Sequence, residues 1–169
     1  MFALAHPKAR RADTLRLRKH TMSFVSNLVH FTWCTANREP LIRKSWRERL
    51  HSYMGGILEN KKAKLLAAGG IEDHMHAFVS LPATMSIAQA ASAMKANSSR
   101  WIHDNIPQCK SFDWQSGYAA FTVSKSGEPR VKAYIDNQEE HHKRWQFTDE
   151  FRALLDRHGI PYDERYLWV

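Results

Sequence analysis

Cysteine is scarce in this 169-residue chain, and its two cysteines stand apart. Cys34 and Cys109 form no CxxC pair and no cluster with histidine. This argues against a disulfide framework and a structural zinc site, and it suits a reducing compartment. No stretch approaches the roughly 18 apolar residues that a membrane-spanning helix needs. The opening MFALAH is too short for a signal-peptide core, so we expect a soluble, unexported chain without a membrane partner.

Glycine and proline are also few, at 7 and 6 residues. A chain with so few of both, 43% hydrophobic residues and 25% charged residues has the composition of an ordinary globular protein. The length fits one domain, since single domains run to roughly 100–200 residues. The sequence therefore predicts one domain with a well-formed hydrophobic core.

The formal net charge of +8 is unevenly distributed. The first twenty residues hold six basic residues and one acidic residue, a net charge of +5, which leaves only +3 elsewhere. We expect residues 1–21 to be a disordered basic extension and residues 22–169 to be a single domain. The extension is either a DNA-contacting arm or an upstream addition from an alternative start codon before Met22. Charge alone does not identify a partner.

Hydrophobic periodicity and turn signals predict an α+β fold. Alternation predicts strands over residues 25–35 and 117–124, and short apolar runs on either side of Glu72 and Asp73 predict a hairpin of two strands over residues 63–71 and 74–81. Helical spacing predicts helices over residues 46–58, 86–104, 129–142 and 149–158. The order is the βαββαβ pattern of ferredoxin-like and RRM-like folds with a helical C-terminal addition. We expect a four-stranded antiparallel sheet with helices on one face, plus the C-terminal helices.

The triplet His74, Met75 and His76 lies in the third predicted strand. Side chains two positions apart in a strand point to the same face, so both imidazoles converge while Met75 faces the core. Such a pair can be half of a metal site, but taken alone the triplet is more typical of two hydrogen-bonded surface histidines.

A second group lies on the helix that Pro129 opens. Tyr134 and Gln138 are four residues apart and share a helix face, with His141 a turn further along. Taken alone, a tyrosine at a helix surface is usually a packing residue with its hydroxyl in water, which favours a packing role for Tyr134.

Together the two motifs resemble the single-tyrosine HUH transposases of insertion-sequence-200-like (IS200-like) elements. The resemblance covers about residues 22–168. It includes the HMH triplet, the following VSLP, KANSSRWIH at residues 95–103, GYAAFTVS, and YIDNQ followed by EEHH. The YIDNQ motif differs from the YIxNP common among REP-associated relatives. Glu72 stands where relatives often carry proline.

The resemblance implies a function and its residues. His74 and His76 would bind Mg²⁺ or Mn²⁺ with Gln138 as third ligand. Tyr134, carried on a C-terminal helix, would attack single-stranded DNA at hairpin-bearing element ends and form a 5′-phosphotyrosine. It also implies a homodimer, with the site assembled in cis or in trans, acting at the nucleoid in the bacterial cytoplasm.

Basic and aromatic side chains are candidates for DNA contact. The candidate phosphate contacts are Lys95, Arg100, Lys125, Arg130 and Lys132. The candidate stacking residues are Trp101, Trp114 and Trp145. The group that takes the Tyr134 proton stays open between His141, Lys132 and a metal-bound water.

Two other functional classes fit the same predicted scaffold. An RRM-like RNA-binding domain would carry an aromatic-rich motif on a central strand, and GYAAFTVS is only a faint match to it. A hairpin-binding regulator without catalysis would not need both histidines, the tyrosine and the glutamine together. The sequence therefore favours the transposase.

Overall fold

The computed structural model describes residues 24–168, so the basic extension at residues 1–21 lies outside it. The strands are β1 (Leu28–Cys34), β2 (Lys64–Gly69), β3 (His74–Ser80) and β4 (Ala119–Val123). The helices are α1 (Lys44–Asn60), α2 (Ile87–Asn105), α3 (Glu128–Asp136), α4 (Gln138–His141) and α5 (Phe147–Arg157). The predicted βαββαβ order is confirmed. Among the described residues, no helix is long and apolar enough to cross a bilayer.

The four strands form one sheet in the order β2-β3-β1-β4, with every neighbouring pair antiparallel. The predicted α+β architecture is therefore confirmed. Every residue of β1 is buried, as are all residues of β3 except the last. Both faces of the two central strands are thus covered, and a strand covered in this way can carry buried chemistry on one face.

The main core lies between the sheet and the helices α1 and α2. Phe31 and Trp33 of β1 and Met75 of β3 are fully buried in it, as predicted for Met75. Helix α2 begins with a capping box, in which the Ser86 hydroxyl and the Gln89 side chain accept hydrogen bonds from each other's backbone N–H groups. The first two helices therefore form one layer on this face.

The opposite face of the sheet is covered by the C-terminal helices. Ile135 of α3 packs with Leu28 and Phe78, and α5 contributes Phe147 and Phe151 to a second cluster against β1 and β4. Because His74 and His76 point away from Met75, they lie on this face. The C-terminal helices are therefore the elements that can meet the histidine pair.

The predicted elements differ from the structure at most of their ends by one to three residues, and three of these differences have a physical reason. The first strand begins at Leu28 rather than at residue 25, because Val25 is exposed and outside the ladder. The predicted helix 129–142 is divided at Asn137 (φ −98°, ψ 17°) into α3 and α4, since asparagine competes for backbone hydrogen bonds and disfavours helix interiors. Helix α5 begins two residues early, at Phe147, which is buried.

Gly69 allows α3 to approach the end of β2. A Cβ atom at this position would lie 2.2 Å from the carbonyl oxygen of Ile135, the residue after Tyr134. We expect Gly69→Ala to lower the free energy of unfolding by about 1–3 kcal/mol, because overpacking against backbone forces α3 to shift. Urea denaturation measures this change.

The matched control is Gly56→Ala on α1, where an added Cβ meets no atom within 4 Å. This variant should keep its stability or gain up to about 1 kcal/mol from the higher helix propensity of alanine. A Gly69→Ala protein as stable as the wild type would contradict the close approach of α3.

Candidate active site

Strand β3 places two imidazoles at one point under the C-terminal helices. His74 and His76 are fully buried, and their ring centroids are 5.1 Å apart. The prediction from the strand spacing that the two imidazoles converge is therefore confirmed. They are not the surface histidines of the alternative interpretation.

Helices α3 and α4 bring the tyrosine and the glutamine to the same point. The Tyr134 ring lies 5.8 Å from the His76 ring, measured between centroids. Gln138 is 1% exposed, and its Oε1 atom lies 3.2 Å from His74 Nε2. The four residues singled out in the sequence thus meet within one chain.

A carboxylate that the sequence analysis missed lies at the centre of this group. Glu150 of α5 is 3% exposed. Its Oε1 atom accepts hydrogen bonds from the Tyr134 hydroxyl and, at 2.9 Å, from Gln138 Nε2. The Oε2 atom lies 3.1 Å from His142 Nε2 and 3.5 Å from His76 Nε2. Glu150 therefore joins the tyrosine to the histidines.

A sequence signal for Glu150 does exist. An acidic residue in the first turn of a helix is ordinary, because it complements the helix dipole. However, Glu150 shares the apolar face of α5 with Phe147, Phe151 and Leu154, at the spacing of buried positions. A charged residue within such a stripe is buried only when it is paired.

His142 is the second residue that the sequence analysis missed. It belongs to the EEHH segment, but its role depends on how the chain turns after α4. Its Nδ1 atom bonds the Trp145 carbonyl at 2.9 Å, and its Nε2 atom lies 2.9 Å from Gln138 Oε1. The ring therefore faces the same centre as His74.

The three imidazoles are oriented in the same way. On the outer side, each Nδ1 atom has a hydrogen-bond partner. His74 Nδ1 lies 2.8 Å from Asp73, and His76 Nδ1 lies 2.9 Å from His30. His142 Nδ1 lies 2.9 Å from the Trp145 carbonyl. On the inner side, their Nε2 atoms lie 4.0, 3.5 and 3.1 Å from Glu150 Oε2. Outer hydrogen bonds of this kind orient histidine ligands in metal centres.

The donor set fits a divalent cation. The ligand atoms of His74, His76, His142 and Glu150 all lie within 4.8 Å of one another. Among the described residues, His76 Nε2 and Glu150 Oε2 are buried without a hydrogen-bond partner, which is costly unless a cation satisfies them. Imidazole nitrogens with carboxylate and amide oxygens suit Mn²⁺ and, less well, Mg²⁺.

Electrostatics keep the proton on the tyrosine and off the carboxylate. Burial, together with the negative charge of Glu150, raises the pKa of Tyr134 well above its usual range. Burial also acts to raise the pKa of Glu150, but its close contacts with the imidazoles of His142 and His76 outweigh burial and hold that pKa below its usual range. Glu150 is thus an ionised acceptor directly beside a protonated nucleophile.

His30 of β1 determines which ring nitrogen of His76 carries the proton. Burial, together with the neighbouring His76, lowers the pKa of His30 to about 3, so its ring is neutral and its Nε2 atom can accept a hydrogen bond from the His76 Nδ1–H group. With the His76 proton on Nδ1, its Nε2 lone pair is free to bind a cation.

The five predicted phosphate contacts differ in their surroundings. Lys95 donates to the carbonyls of Gln115, Ser116 and Gly117 at 2.7, 3.0 and 2.7 Å, and Arg100 lines the adjacent cleft. Both belong to α2, on the sheet face opposite the histidines. Lys125 and Lys132 pair with Glu128 at 2.5 and 2.8 Å, whereas Arg130 lines a pocket beside Tyr134.

The three predicted stacking tryptophans also divide. Trp114 is buried in the main core, and Trp101 packs against that core and stacks on Tyr53. Trp145 is 49% exposed and stacks on His141, next to the candidate metal centre. Only Trp145 therefore combines exposure with proximity to the histidines.

Comparison with known proteins assigns the chain to a family. Residues 23–138 match the family described as Transposase IS200 like. The chain belongs to this family. The match spans His74, His76, Tyr134 and Gln138 but ends before the segment that carries His142 and Glu150. This IS200-like transposase therefore completes its candidate metal centre with a segment beyond the family match.

Two solved structures share the fold of this IS200-like transposase. A candidate transposase from Deinococcus radiodurans R1 has 22% sequence identity and a TM-score of 0.58. The matched region covers 71% of this chain and 97% of the Deinococcus radiodurans chain. A REP-associated tyrosine transposase bound to a REP hairpin has 14% identity and a TM-score of 0.55, covering 73% of each chain. No curated protein matches this transposase.

Proposed function

We propose that this transposase cleaves and rejoins single-stranded DNA at hairpin-bearing element ends through a 5′-phosphotyrosine on Tyr134. The observation that carries the proposal is the hydrogen bond from the Tyr134 hydroxyl to Glu150, inside a group of three histidines suited to a metal ion. The REP hairpin bound by a structural neighbour supports hairpin DNA as the substrate. The reaction would take place on DNA in the bacterial cytoplasm.

His74, His76, His142 and Glu150, with Gln138, would hold a divalent cation, Mg²⁺ or Mn²⁺. When bound, the cation stabilises the negative charge that develops on the phosphoryl oxygens. Glu150 adds a negative charge to a predicted ligand set that is otherwise neutral. This charge strengthens cation binding at some cost in Lewis acidity.

Tyr134 supplies the nucleophile, and Glu150 accepts its proton only as the bond to phosphorus forms, because the phenolic oxygen then loses its affinity for the proton. A bond forms between Tyr134 Oη and phosphorus as the bond from phosphorus to the 3′ oxygen breaks. The phenolic proton passes to Glu150 Oε1, and the released 3′ oxygen takes a proton from water. The two carboxylate oxygens would have different roles. Oε1 contacts Tyr134 and would accept its proton, whereas Oε2 faces the histidines and would bind the cation. Glu150 is thus the proton acceptor that we propose, in addition to the three considered from the sequence, which were His141, Lys132 and a metal-bound water.

One chain holds both halves of the site, so cleavage can proceed in cis. Tyr134 contacts the histidines and Glu150 of its own chain. We further propose that the transposase is a homodimer, which would hold two DNA ends near each other for rejoining.

The experiment uses labelled single-stranded oligonucleotides that carry a hairpin beside a randomised segment. We expect incubation with Mn²⁺ to yield a labelled protein band that survives denaturation, because the phosphotyrosine is covalent. Hairpin binding without any such band would favour the non-catalytic regulator instead.

His30 gives a test of the metal centre that does not depend on activity. We expect His30→Phe to weaken Mn²⁺ binding by about 10–100-fold, because the outer hydrogen bond that orients His76 is lost. Isothermal titration calorimetry with Mn²⁺ measures the effect.

The matched control is His51→Phe, which changes a buried histidine of α1 on the opposite layer. It should leave Mn²⁺ affinity within about twofold of the wild type, since His51 makes no contact with the candidate ligands. Equal affinities in the wild type and His30→Phe would show that His76 needs no support from His30.

A further inference from the structure

A pocket of about 350 Å³ lies beside the candidate metal centre, between β4, α3 and α5. Its volume is at the lower end of the range for small-molecule sites, which is about 300–1,000 Å³. Phe121, Val131 and Leu154 give it apolar walls. The pocket can therefore take a flat, partly apolar group the size of one nucleotide.

The charge of the pocket suits a phosphate. Its twelve lining residues include Arg130 and Arg157 but no aspartate or glutamate. Both arginines are exposed, and neither forms an ion pair or a side-chain hydrogen bond within residues 24–168. Unpaired guanidinium groups at the rim of a pocket without acidic residues are well suited to bidentate phosphate binding.

Two residues belong to both the pocket and the candidate metal centre. Tyr134 lines the pocket while its hydroxyl donates to Glu150, and His30 lines the pocket while its ring bonds His76 at 2.9 Å. A nucleotide in the pocket would thus lie directly beside the nucleophile.

The stereochemistry of the proposed reaction indicates which nucleotide this is. In an in-line displacement, the leaving 3′ oxygen departs on the side of phosphorus opposite the attacking Tyr134 oxygen. The nucleotide that follows the cleaved bond keeps the phosphate on its 5′ oxygen, and the in-line geometry does not require it to lie opposite Tyr134. A pocket on the tyrosine's own side therefore fits the retained nucleotide.

We propose that this pocket binds the nucleotide whose 5′ phosphate becomes joined to Tyr134, with its base between the apolar walls and its phosphates at Arg130 and Arg157. The inference rests on the proposed function. It makes the pocket a determinant of which base follows the cleaved bond.

The first test measures binding alone, in EDTA, with a fluorescent single-stranded trinucleotide with and without a 5′ phosphate. The wild type should bind the phosphorylated probe at least about tenfold more tightly, and Arg130→Ala/Arg157→Ala should reduce this preference to below about threefold. The control Arg43→Ala/Arg49→Ala removes the same charge from exposed positions of the α1 layer and should keep the preference. No preference in the wild type, or an unchanged one in Arg130→Ala/Arg157→Ala, would overturn the proposal.

The second test sequences the DNA joined to protein after reaction with the randomised hairpin substrate. The first attached nucleotide should show a biased base composition in the wild type. Val131→Trp, which narrows the pocket, should shift that bias towards pyrimidines. Identical compositions in the two proteins would overturn the assignment of the base. If no DNA becomes attached while the trinucleotide result holds, the proposed function fails and nucleotide binding by the pocket stands.

Discussion

Replacing His74 or His76 with alanine is expected to lower the rate of phosphotyrosine formation by at least about a hundredfold, or about 3 kcal/mol in activation free energy. Each histidine is fully buried with its Nε2 atom facing Glu150. Its loss removes a candidate ligand and leaves the carboxylate with fewer partners. Single-turnover rates over a series of Mn²⁺ concentrations measure the effect, and high Mn²⁺ should restore part of the rate.

His103→Ala is the matched control for the histidine variants. His103 lies on α2, and its Nε2 atom bonds the Phe112 carbonyl at 2.7 Å, away from the candidate centre. Its replacement should change the rate by less than about twofold. Excess EDTA should reproduce the loss seen in the His74 and His76 variants. A full cleavage rate in EDTA would show that the reaction needs no metal.

Tyr134→Phe is expected to abolish the covalent adduct while leaving hairpin binding near the wild-type level. The substitution removes only the hydroxyl oxygen, and Glu150 keeps its contacts with Gln138 and His142. The site should therefore stay folded without its nucleophile. Denaturing gels with labelled DNA measure the adduct, and fluorescence anisotropy measures binding.

Tyr53→Phe serves as the control for the loss of a hydroxyl. Tyr53 lies on α1 and stacks on Trp101 with 5.6 Å between ring centroids. This variant should form the adduct at the wild-type rate. An adduct of normal yield in Tyr134→Phe would move the nucleophile to another residue.

Local periodicity explains what the sequence could predict. His74 and His76 share a face because strands have a period of two, and Tyr134 and Gln138 are neighbours because helices have a period of 3.6. Each pair is separated by only two to four residues, so its relative position depends on local backbone geometry. Tyr134 and Gln138 therefore remain neighbours although the helix is divided at Asn137. For the same reason the order and type of the main elements could be predicted, with errors confined to their boundaries.

Packing between distant segments explains what the sequence could not predict. Glu150 reaches the site because Phe147 and Phe151 anchor α5 against β1 and β4, far away in the sequence. His30 meets His76 because β1 pairs with β3. Lys95 donates hydrogen bonds to three backbone carbonyls. The sequence pattern alone could not show that this lysine is occupied in this way rather than free to bind phosphate. Each of these contacts depends on which surfaces face each other after folding.

Mass spectrometry of the trypsin-digested adduct tests the proposed mechanism most directly. Cleavage after Lys132 and Lys143 yields the peptide 133–143, in which Tyr134 is the only tyrosine. After reaction with the hairpin substrate and Mn²⁺, we predict that this peptide carries the nucleotide mass through a phosphate ester on Tyr134. A nucleotide found instead on a peptide with Tyr53, Tyr118, Tyr162 or Tyr166, or cleaved DNA without any adduct, would contradict the mechanism.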